Sequence, residues 1–444
     1  QTGPRYTSYP TAVQFHNGFG AAEYQEQAIA SNTSGRPLSL YFHIPFCDTV
    51  CFYCACNKIV TKNRCHTAPY LDHLYRELAL QGALLDPERP VTQLHWGGGT
   101  PTFISADEMR ELMCMTGEHF QLLDNDSGEY SIEVDPRETD DHTVALLREL
   151  GFNRLSLGVQ DFDPQVQRAV NRFQSKAITL KVMEAARCEG FKSISVDLIY
   201  GLPYQSVAGF SRTVAEIVAQ NPDRISVFNY AHLPELFKTQ RQIDASALPT
   251  PAVKLKILET VIEQLTEAGY VYIGMDHFAK PDDGLTLAQQ SGTLYRNFQG
   301  YSTHADCDLI GFGATAVGRV GDSYSQNLKS LEEYYARIDD SQLAVFRGVR
   351  LNADDRLRRA VITALICNFT LEFTAIERQY AIVFSDYFAV ELAELENMQA
   401  DSLLELGTAG IRVLPPGRLL IRNICMVFDR YLREQKQQRF SRVI

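Results

Sequence analysis

The stretch YFHIPFCDTVCFYCACNK, residues 41–58, carries Cys47, Cys51, Cys54 and Cys56, four of the chain's ten cysteines within ten positions. The first three stand as C-x-x-x-C-x-x-C. Thiolates are soft ligands that favour zinc, copper(I) and iron–sulfur clusters. A four-sulfur zinc site usually draws two pairs from separate knuckles, and no second pair follows at a useful distance. Three thiolates from one short loop suit three irons of a 4Fe-4S cube and leave the fourth iron open to a substrate or cofactor. Buried free thiols and a zinc site are the plainer readings. Three cysteines at this spacing argue against the first, and the missing second pair argues against the second. Cys56 falls outside the set, because a fourth thiolate would close the open iron.

Outward from this loop the chain alternates strand and helix. Strand-like runs fall at 38–44, 93–96, 130–134, 154–159, 194–199 and 225–229. Amphipathic stretches of helical period lie between and after them, at 71–85, 105–122, 140–150, 175–188, 207–219 and 253–268. Ser105 and Glu108 form a capping box at the head of the second helix. Six strand–helix units argue for a parallel sheet with helices outside. No G-x-G-x-x-G appears, which disfavours a dinucleotide fold. The expected class is α/β, a partial (β/α)6 barrel.

Function in such a barrel gathers at the C-terminal strand ends. The first strand runs into the cysteine loop. The second runs into WGGGTPT (96–102), where consecutive glycines let backbone approach a ligand. The third, SIEVDP (131–136), sets Glu133 and Asp135 on one face. A carboxylate there needs a ligand or an ion-pair partner. Gln160 ends the fourth strand, Asp197 lies in the fifth, and Arg172 is placed to clamp a carboxylate bidentately. His43 shares a strand face with Tyr41, and His232 reads as a satisfied strand-end histidine.

Residues 1–35 read as an arm with little regular structure, either a packed extension or a flap whose Arg5 meets an anionic substrate. Residues 36–349 form the catalytic barrel with its loops, 276–318 being a long irregular connection. From 350 to 444 the pattern changes to helices at 355–368 and 375–394, a hairpin in LLELGTAGIRVLP (403–415), and a final helix from Pro416 to about Arg433. This suggests a mostly helical, winged-helix-like domain. Arg418, Arg422, Arg430 and Arg433 are expected on a solvated or substrate-covering face.

The chain has 444 residues and a formal charge of −12, which disfavours non-specific nucleic-acid binding. Six further cysteines are scattered, the pattern of a reducing compartment. There is no leader-like segment and no apolar run near 18 residues, so the expectation is a cytoplasmic protein without a membrane span. The first residue is Gln1, not methionine, as when native residues ahead of it are missing.

The cysteine spacing, with Tyr53 just before the third cysteine, resembles the radical S-adenosylmethionine (SAM) superfamily. The longer C-x-x-x-C-x-x-C-x-C-N-K after YFHIPFC resembles the oxygen-independent coproporphyrinogen III oxidase (dehydrogenase) family, and the match runs to the closing FSRVI. The resemblance implies a radical-SAM barrel with Cys47, Cys51 and Cys54 on a 4Fe-4S cluster. It puts Gly98, Gly99 and Thr100 at the methionine part of SAM and Glu133 also on SAM. It places Gln160, Arg172, Asp197 and Ala231 around a second SAM, and sets Phe298 and Gln299 of RNFQGY near the active centre. Val317 of GFGATAVG would meet SAM through apolar contact. Tyr41 and Tyr53 would pack against SAM or the cluster, His43 would hydrogen-bond or protonate, and Cys56 would guard the radical site or donate hydrogen. The implied reaction converts two propionates of coproporphyrinogen III to vinyl groups, giving protoporphyrinogen IX, through a SAM-derived deoxyadenosyl radical. The implied partner is a small reductant such as flavodoxin or ferredoxin, and the chain would act as a monomer. Rival readings are another radical-SAM tetrapyrrole enzyme, a haem-binding trafficking relative lacking the C-x-C-N-K extension, and a ferredoxin-like carrier.

Overall fold

The computed structural model describes residues 3–434. Two compact units emerge, neither of them one stretch of chain. One comprises His16–Ala268 and Asp306–Val349; the other comprises the described residues up to Phe15, Gly269–Ala305 and the described residues from Arg350 on. The sequence suggested three consecutive segments, 1–35, 36–349 and 350–444. Contacts distant in sequence group the chain differently, because packing does not follow chain order.

In the first unit, β1 (Leu38–Ile44), β2 (Pro90–Gly98), β3 (Glu129–Val134), β4 (Arg154–Gln160), β5 (Ser193–Tyr200) and β6 (Arg224–Asn229) form a parallel sheet in that order. All six expected strands are present. A seventh parallel strand, β7 (Asp308–Phe312), pairs with the other edge of β1. It corrects the reading of 276–318 as irregular. The run DLIGF is short and follows a polar stretch, so its strand character depends on the partner that β1 offers. Antiparallel strands Val317–Val320 and Ser323–Asn327 extend the sheet beyond it.

The strands show why one face of this sheet is chemical. In β4, Leu155, Leu157 and Val159 are buried, while Arg154, Ser156, Gly158 and Gln160 alternate with them. In β3, Ile132 and Val134 are buried, and Ser131 and Glu133 are not. A period of two thus sends apolar side chains towards the helices and polar ones to the opposite face. The helices supply the other half of the core: Val207–Ala219 buries Phe210, Thr213, Val214 and Ile217, a 3.6-period stripe. Ser105 and Glu108 make the capping box expected from sequence. Residues 16–35 are not an unstructured arm: Ala21–Ser31 is a helix, started by Glu23 accepting the Gly20 amide at 2.8 Å.

In the second unit, residues 3–11 are a packed extension. Tyr6 and Tyr9 are buried, and the Tyr6 hydroxyl donates to Asp429 at 3.0 Å. Helix Ala353–Asn368 packs with a three-stranded sheet of Thr370–Glu372, Gly410–Val413 and Leu404–Leu406, which contains the expected hairpin. The helix expected over 375–394 is divided into Phe373–Tyr380, Phe384–Tyr387 and Ala389–Ala400. Ala381, at φ 54°, breaks it, and the turn stacks Phe384 on Phe373 with ring centroids 4.1 Å apart. The expected final helix is likewise three short ones, Pro415–Leu419, Ile421–Val427 and Arg430–Glu434. FSRVI (440–444) lies outside the described residues. The arginines there are not a solvated face. Arg430 pairs with Asp354 at 2.6 Å and Arg433 with Glu394 at 3.0 Å, while Arg422 donates to the carbonyls of Gly3 and Pro4. Arg418 stacks over the Phe369 ring.

Candidate active site

β1 passes directly into a two-residue strand, Phe46–Cys47, which pairs in parallel with Ile59–Val60. The intervening loop projects Cys47, Cys51 and Cys54 into a cleft at the C-terminal ends of β2 to β5. Cys56, Tyr53 and Lys58 line the same cleft, as do Gly98, Gly99, Thr100, Glu133, Gln160, Arg172 and Asp197. Sequence reasoning thus brought together three cysteines from one loop and seven positions from four strand ends and a following turn.

The three thiols are free. Arg172 Nη1 lies 3.5 Å and Arg137 Nη2 3.7 Å from Cys51 Sγ, and Thr100 Oγ1 lies 3.6 Å from Cys47 Sγ. The thiolate is the form that binds metal. Among the described residues no three His, Cys, Asp or Glu side chains converge on a single metal position. In a cube each thiolate takes a different iron, so the three need not converge on one position. The donor set fits a 4Fe-4S cluster. Two orphaned buried atoms in the lining, Gln160 Oε1 and Arg172 Nε, fit a polar ligand beside it.

Glu133 is the most exposed of the charged partners, with 47% of its side chain accessible. Its oxygens accept from His95 at 3.4 Å and from the Gly98 amide at 3.2 Å. Burial pushes its carboxyl up, but the His95 bond and charge and the Gly98 amide outweigh this and hold it below the ordinary value. Asp197 is pushed up to about 6 by burial and then by the charge of Glu133, against hydrogen bonds from Ser226 and Ser156. Asp135 lines the same cleft but is engaged by protein. It pairs with Arg137 at 2.6 Å and with Arg172 at 3.0 Å. Arg172 Nη2 also donates to the Gly158 carbonyl at 2.6 Å. Each terminal nitrogen of Arg172 thus has a protein partner, and Nε has none.

Backbone strain marks the same place. Gln160 has φ 69°, and the β4–β5 register slips between Gly158 and Gln160. A bulge with a left-handed non-glycine residue re-aims a side chain at a cost of order 1–3 kcal/mol. Gly98, at φ 115°, needs to be glycine: a Cβ would stand 2.7 Å from the His43 ring.

Six expected residues do not line the cleft. The Tyr41 hydroxyl contacts His43 Nδ1 at 3.1 Å, and its ring stacks on His95. His43 Nε2 meets the Asn57 carbonyl at 3.0 Å. That carbonyl requires Nε2–H, so Nδ1 accepts from Tyr41, and burial keeps the ring neutral. His43 thus ties the loop to β1 through both ring nitrogens. The Ala231 carbonyl is linked to that of Tyr53 by Gln240 Nε2, at 3.2 and 3.0 Å. Val317 opens an antiparallel strand opposite Gln326. Phe298 and Gln299 belong to the other unit, where they form the turn of hairpin Tyr295–Asn297/Gly300–Ser302 and Phe298 packs edge-on to Phe15. His232 bonds the Tyr230 hydroxyl at 2.8 Å, a satisfied histidine as expected.

Sequence reasoning missed Arg137, Lys58 and His95. Lys58 Nζ donates to the Cys54 carbonyl at 3.0 Å. Arg137, two residues past Asp135, carried a local signal; His95, two residues from Gly97 on β2, carried only its period-two position.

Residues 41–217 match the Radical SAM superfamily. Over its whole length the chain is 56% identical to the oxygen-independent coproporphyrinogen III oxidase of Pseudomonas aeruginosa, spanning 96% of that protein, and 50% identical to that of Escherichia coli, again spanning 96%. The solved structure of the Escherichia coli coproporphyrinogen III oxidase, described as a radical SAM enzyme, aligns with a TM-score of 0.93 at 50% identity, covering 96% of this chain and 98% of that one.

Proposed function

The chain belongs to the oxygen-independent coproporphyrinogen III oxidase family, and from that premise we propose how its own residues carry the reaction. It is an oxidoreductase that oxidises coproporphyrinogen III without molecular oxygen in haem biosynthesis, with a 4Fe-4S cluster and SAM as cofactors. The observation that carries the reading is the free thiol trio opening onto one polar cleft with Glu133 at its base. Cys47, Cys51 and Cys54 hold the cluster. When bound, the reduced cluster and SAM supply a deoxyadenosyl radical able to remove hydrogen from an unactivated carbon, which no side-chain base can do.

The chain supplies position and charge. Gly98, Gly99 and Thr100 offer a backbone edge with little side-chain obstruction to the amino-acid end of SAM. Glu133, held ionised, receives a cationic ammonium. Gln160 Oε1 and Arg172 Nε are buried polar atoms awaiting a ligand. Asp135 fixes the guanidiniums of Arg137 and Arg172 against Cys51. Two SAM molecules per chain are the finer expectation, tested by binding stoichiometry under anaerobic equilibrium. Two propionates become vinyl groups, and a flavodoxin- or ferredoxin-type protein supplies the electron. The chain works as a cytoplasmic monomer, a location supported by ten free cysteines. No helix of the described residues is long and apolar enough to cross a membrane.

The deciding experiment is an anaerobic assay of reconstituted protein with SAM, dithionite and coproporphyrinogen III, with products separated by mass. Loss of two carboxyl groups together with deoxyadenosine is expected. Deoxyadenosine without decarboxylation would reopen the substrate. Neither product, with the cluster intact, would point to a haem-binding relative.

A further inference from the structure

The segment immediately after the cysteine loop differs in charge from the rest of the molecule. The chain has 54 carboxylates against 42 basic residues, yet residues 49–71 contain no Asp or Glu and include Lys58, Lys62 and Arg64. Lys62 and Arg64 are exposed. Asn57 Nδ2 donates to the Lys329 carbonyl at 3.2 Å, which brings exposed Lys329 to the same surface. Asp48, beside this strip, is paired with Arg64. In the middle stands Val60, an aliphatic side chain 44% exposed.

The backbone ties this surface to the cluster ligands. Ile59–Val60 pairs with Phe46–Cys47 in a register that sets Val60 beside Cys47. The Ile59 amide donates to the Pro45 carbonyl at 2.7 Å, and the Thr61 amide donates to the Cys47 carbonyl at 3.0 Å. Neighbouring strands lie about 4.8 Å apart. A protein seated on Val60 is therefore one strand spacing from a cluster ligand, joined to it through a backbone hydrogen bond.

We propose that the basic strip carrying exposed Lys62 and Lys329 around Val60 is the docking surface for an acidic one-electron carrier protein. The inference rests on the radical-SAM reading above, which requires one electron for each SAM cleaved, supplied from outside the chain. One electron leaves the carrier, which is oxidised by one, and enters the iron–sulfur group, which is reduced by one; no bond or proton moves. An exposed apolar centre with a charged rim suits a small, transient redox encounter. Opposite charge steers such encounters and sets their rate more than their final affinity. A basic strip on a protein of net charge −12 selects an acidic partner at this face and repels it elsewhere.

The test uses reconstituted full-length protein and flavodoxin as the probe. Binding of oxidised flavodoxin is measured by interferometry at low and high salt. Separately, bleaching of the cluster absorbance is followed anaerobically after mixing with reduced flavodoxin or with dithionite. Lys62→Glu, alone and with Lys329→Glu, is compared with wild type, with unfolding midpoint and iron content as controls. The expected result is weaker flavodoxin binding and slower flavodoxin-driven bleaching by about tenfold for the single variant, more for the double, with dithionite bleaching unchanged. Wild-type binding should fall steeply with salt. Equal binding and bleaching in wild type and variants, or no flavodoxin binding by wild type, would overturn the proposal. A wild-type cluster that dithionite cannot reduce would instead count against the radical-SAM reading itself.

Discussion

Two glutamates in the barrel unit have opposite surroundings. Glu77, on helix Thr67–Gly82, is fully buried and accepts four hydrogen bonds. The Gly313 amide, the Tyr334 hydroxyl, Asn327 Nδ2 and Gln81 Nε2 reach it at 2.7, 2.7, 2.7 and 3.1 Å. Glu133 has two longer contacts and nearly half of its side chain open to the cleft. Burial raises the carboxyl of Glu77 in spite of its four donors, whereas His95 and Gly98 hold that of Glu133 down. The contrast separates two uses of a carboxylate. A carboxylate whose lone pairs are all occupied is a fastener; here it pins the turn at Gly313 (φ 91°) that follows β7. A carboxylate kept ionised with lone pairs to spare is a binding group.

Four experiments would break or sharpen that distinction. The largest effect is expected on the cleft side. Cys47→Ala, Cys51→Ala or Cys54→Ala should each abolish the cluster, and full iron content in any of them would remove that cysteine from the ligand set. Cys56→Ala should keep the cluster absorbance. Next comes Glu77→Ala, which strands four donors in a sealed pocket and should cost about 3 kcal/mol or more, read as a lower unfolding midpoint. A loss under about 1 kcal/mol would deny the fastener role.

Glu133→Gln should do the reverse. Stability should stay within about 0.5 kcal/mol, while SAM dissociation measured at equilibrium weakens by about tenfold to a hundredfold, the size of a charge-assisted bond. A destabilised variant with normal SAM binding would make Glu133 a second fastener. The smallest effect is a pH dependence. Asp197, raised to about 6 by burial and Glu133, favours folding when protonated. That contribution is fully present below the unfolded value near 4 and is lost as pH rises through about 6. Asp197→Asn should therefore gain on wild type in unfolding midpoint between about pH 4 and pH 7. A constant difference across that window would mean that Asp197 is not desolvated in solution.

Much of this molecule could be read in one dimension. Period-two burial in β3 and β4 announced which residues point at the helices and which at the cleft. The cysteine spacing announced the cluster chemistry, since three ligands from one loop need no tertiary information to be neighbours. Serine and glutamate at 105 and 108 announced a helix start. All of these are local signals, set by backbone geometry within a few residues.

Other features were decided only when distant segments met. β7 is a strand because β1 has a free edge for it, and residues 3–15 and 269–305 join the C-terminal segment through contacts no local pattern encodes. Arg172 Nη1 is occupied because Asp135, 37 positions earlier, lies 3.0 Å away. Whether Glu77 or Glu133 binds a ligand could not be told from residue type, because both are glutamates in amphipathic surroundings. It is decided by how many donors converge on each, and convergence is a property of three-dimensional packing. The sequence by itself determined which chemistry the chain can hold. The tertiary structure decided which of its polar groups remain available to use it, because a hydrogen bond already made inside the protein is one that cannot be offered to a ligand.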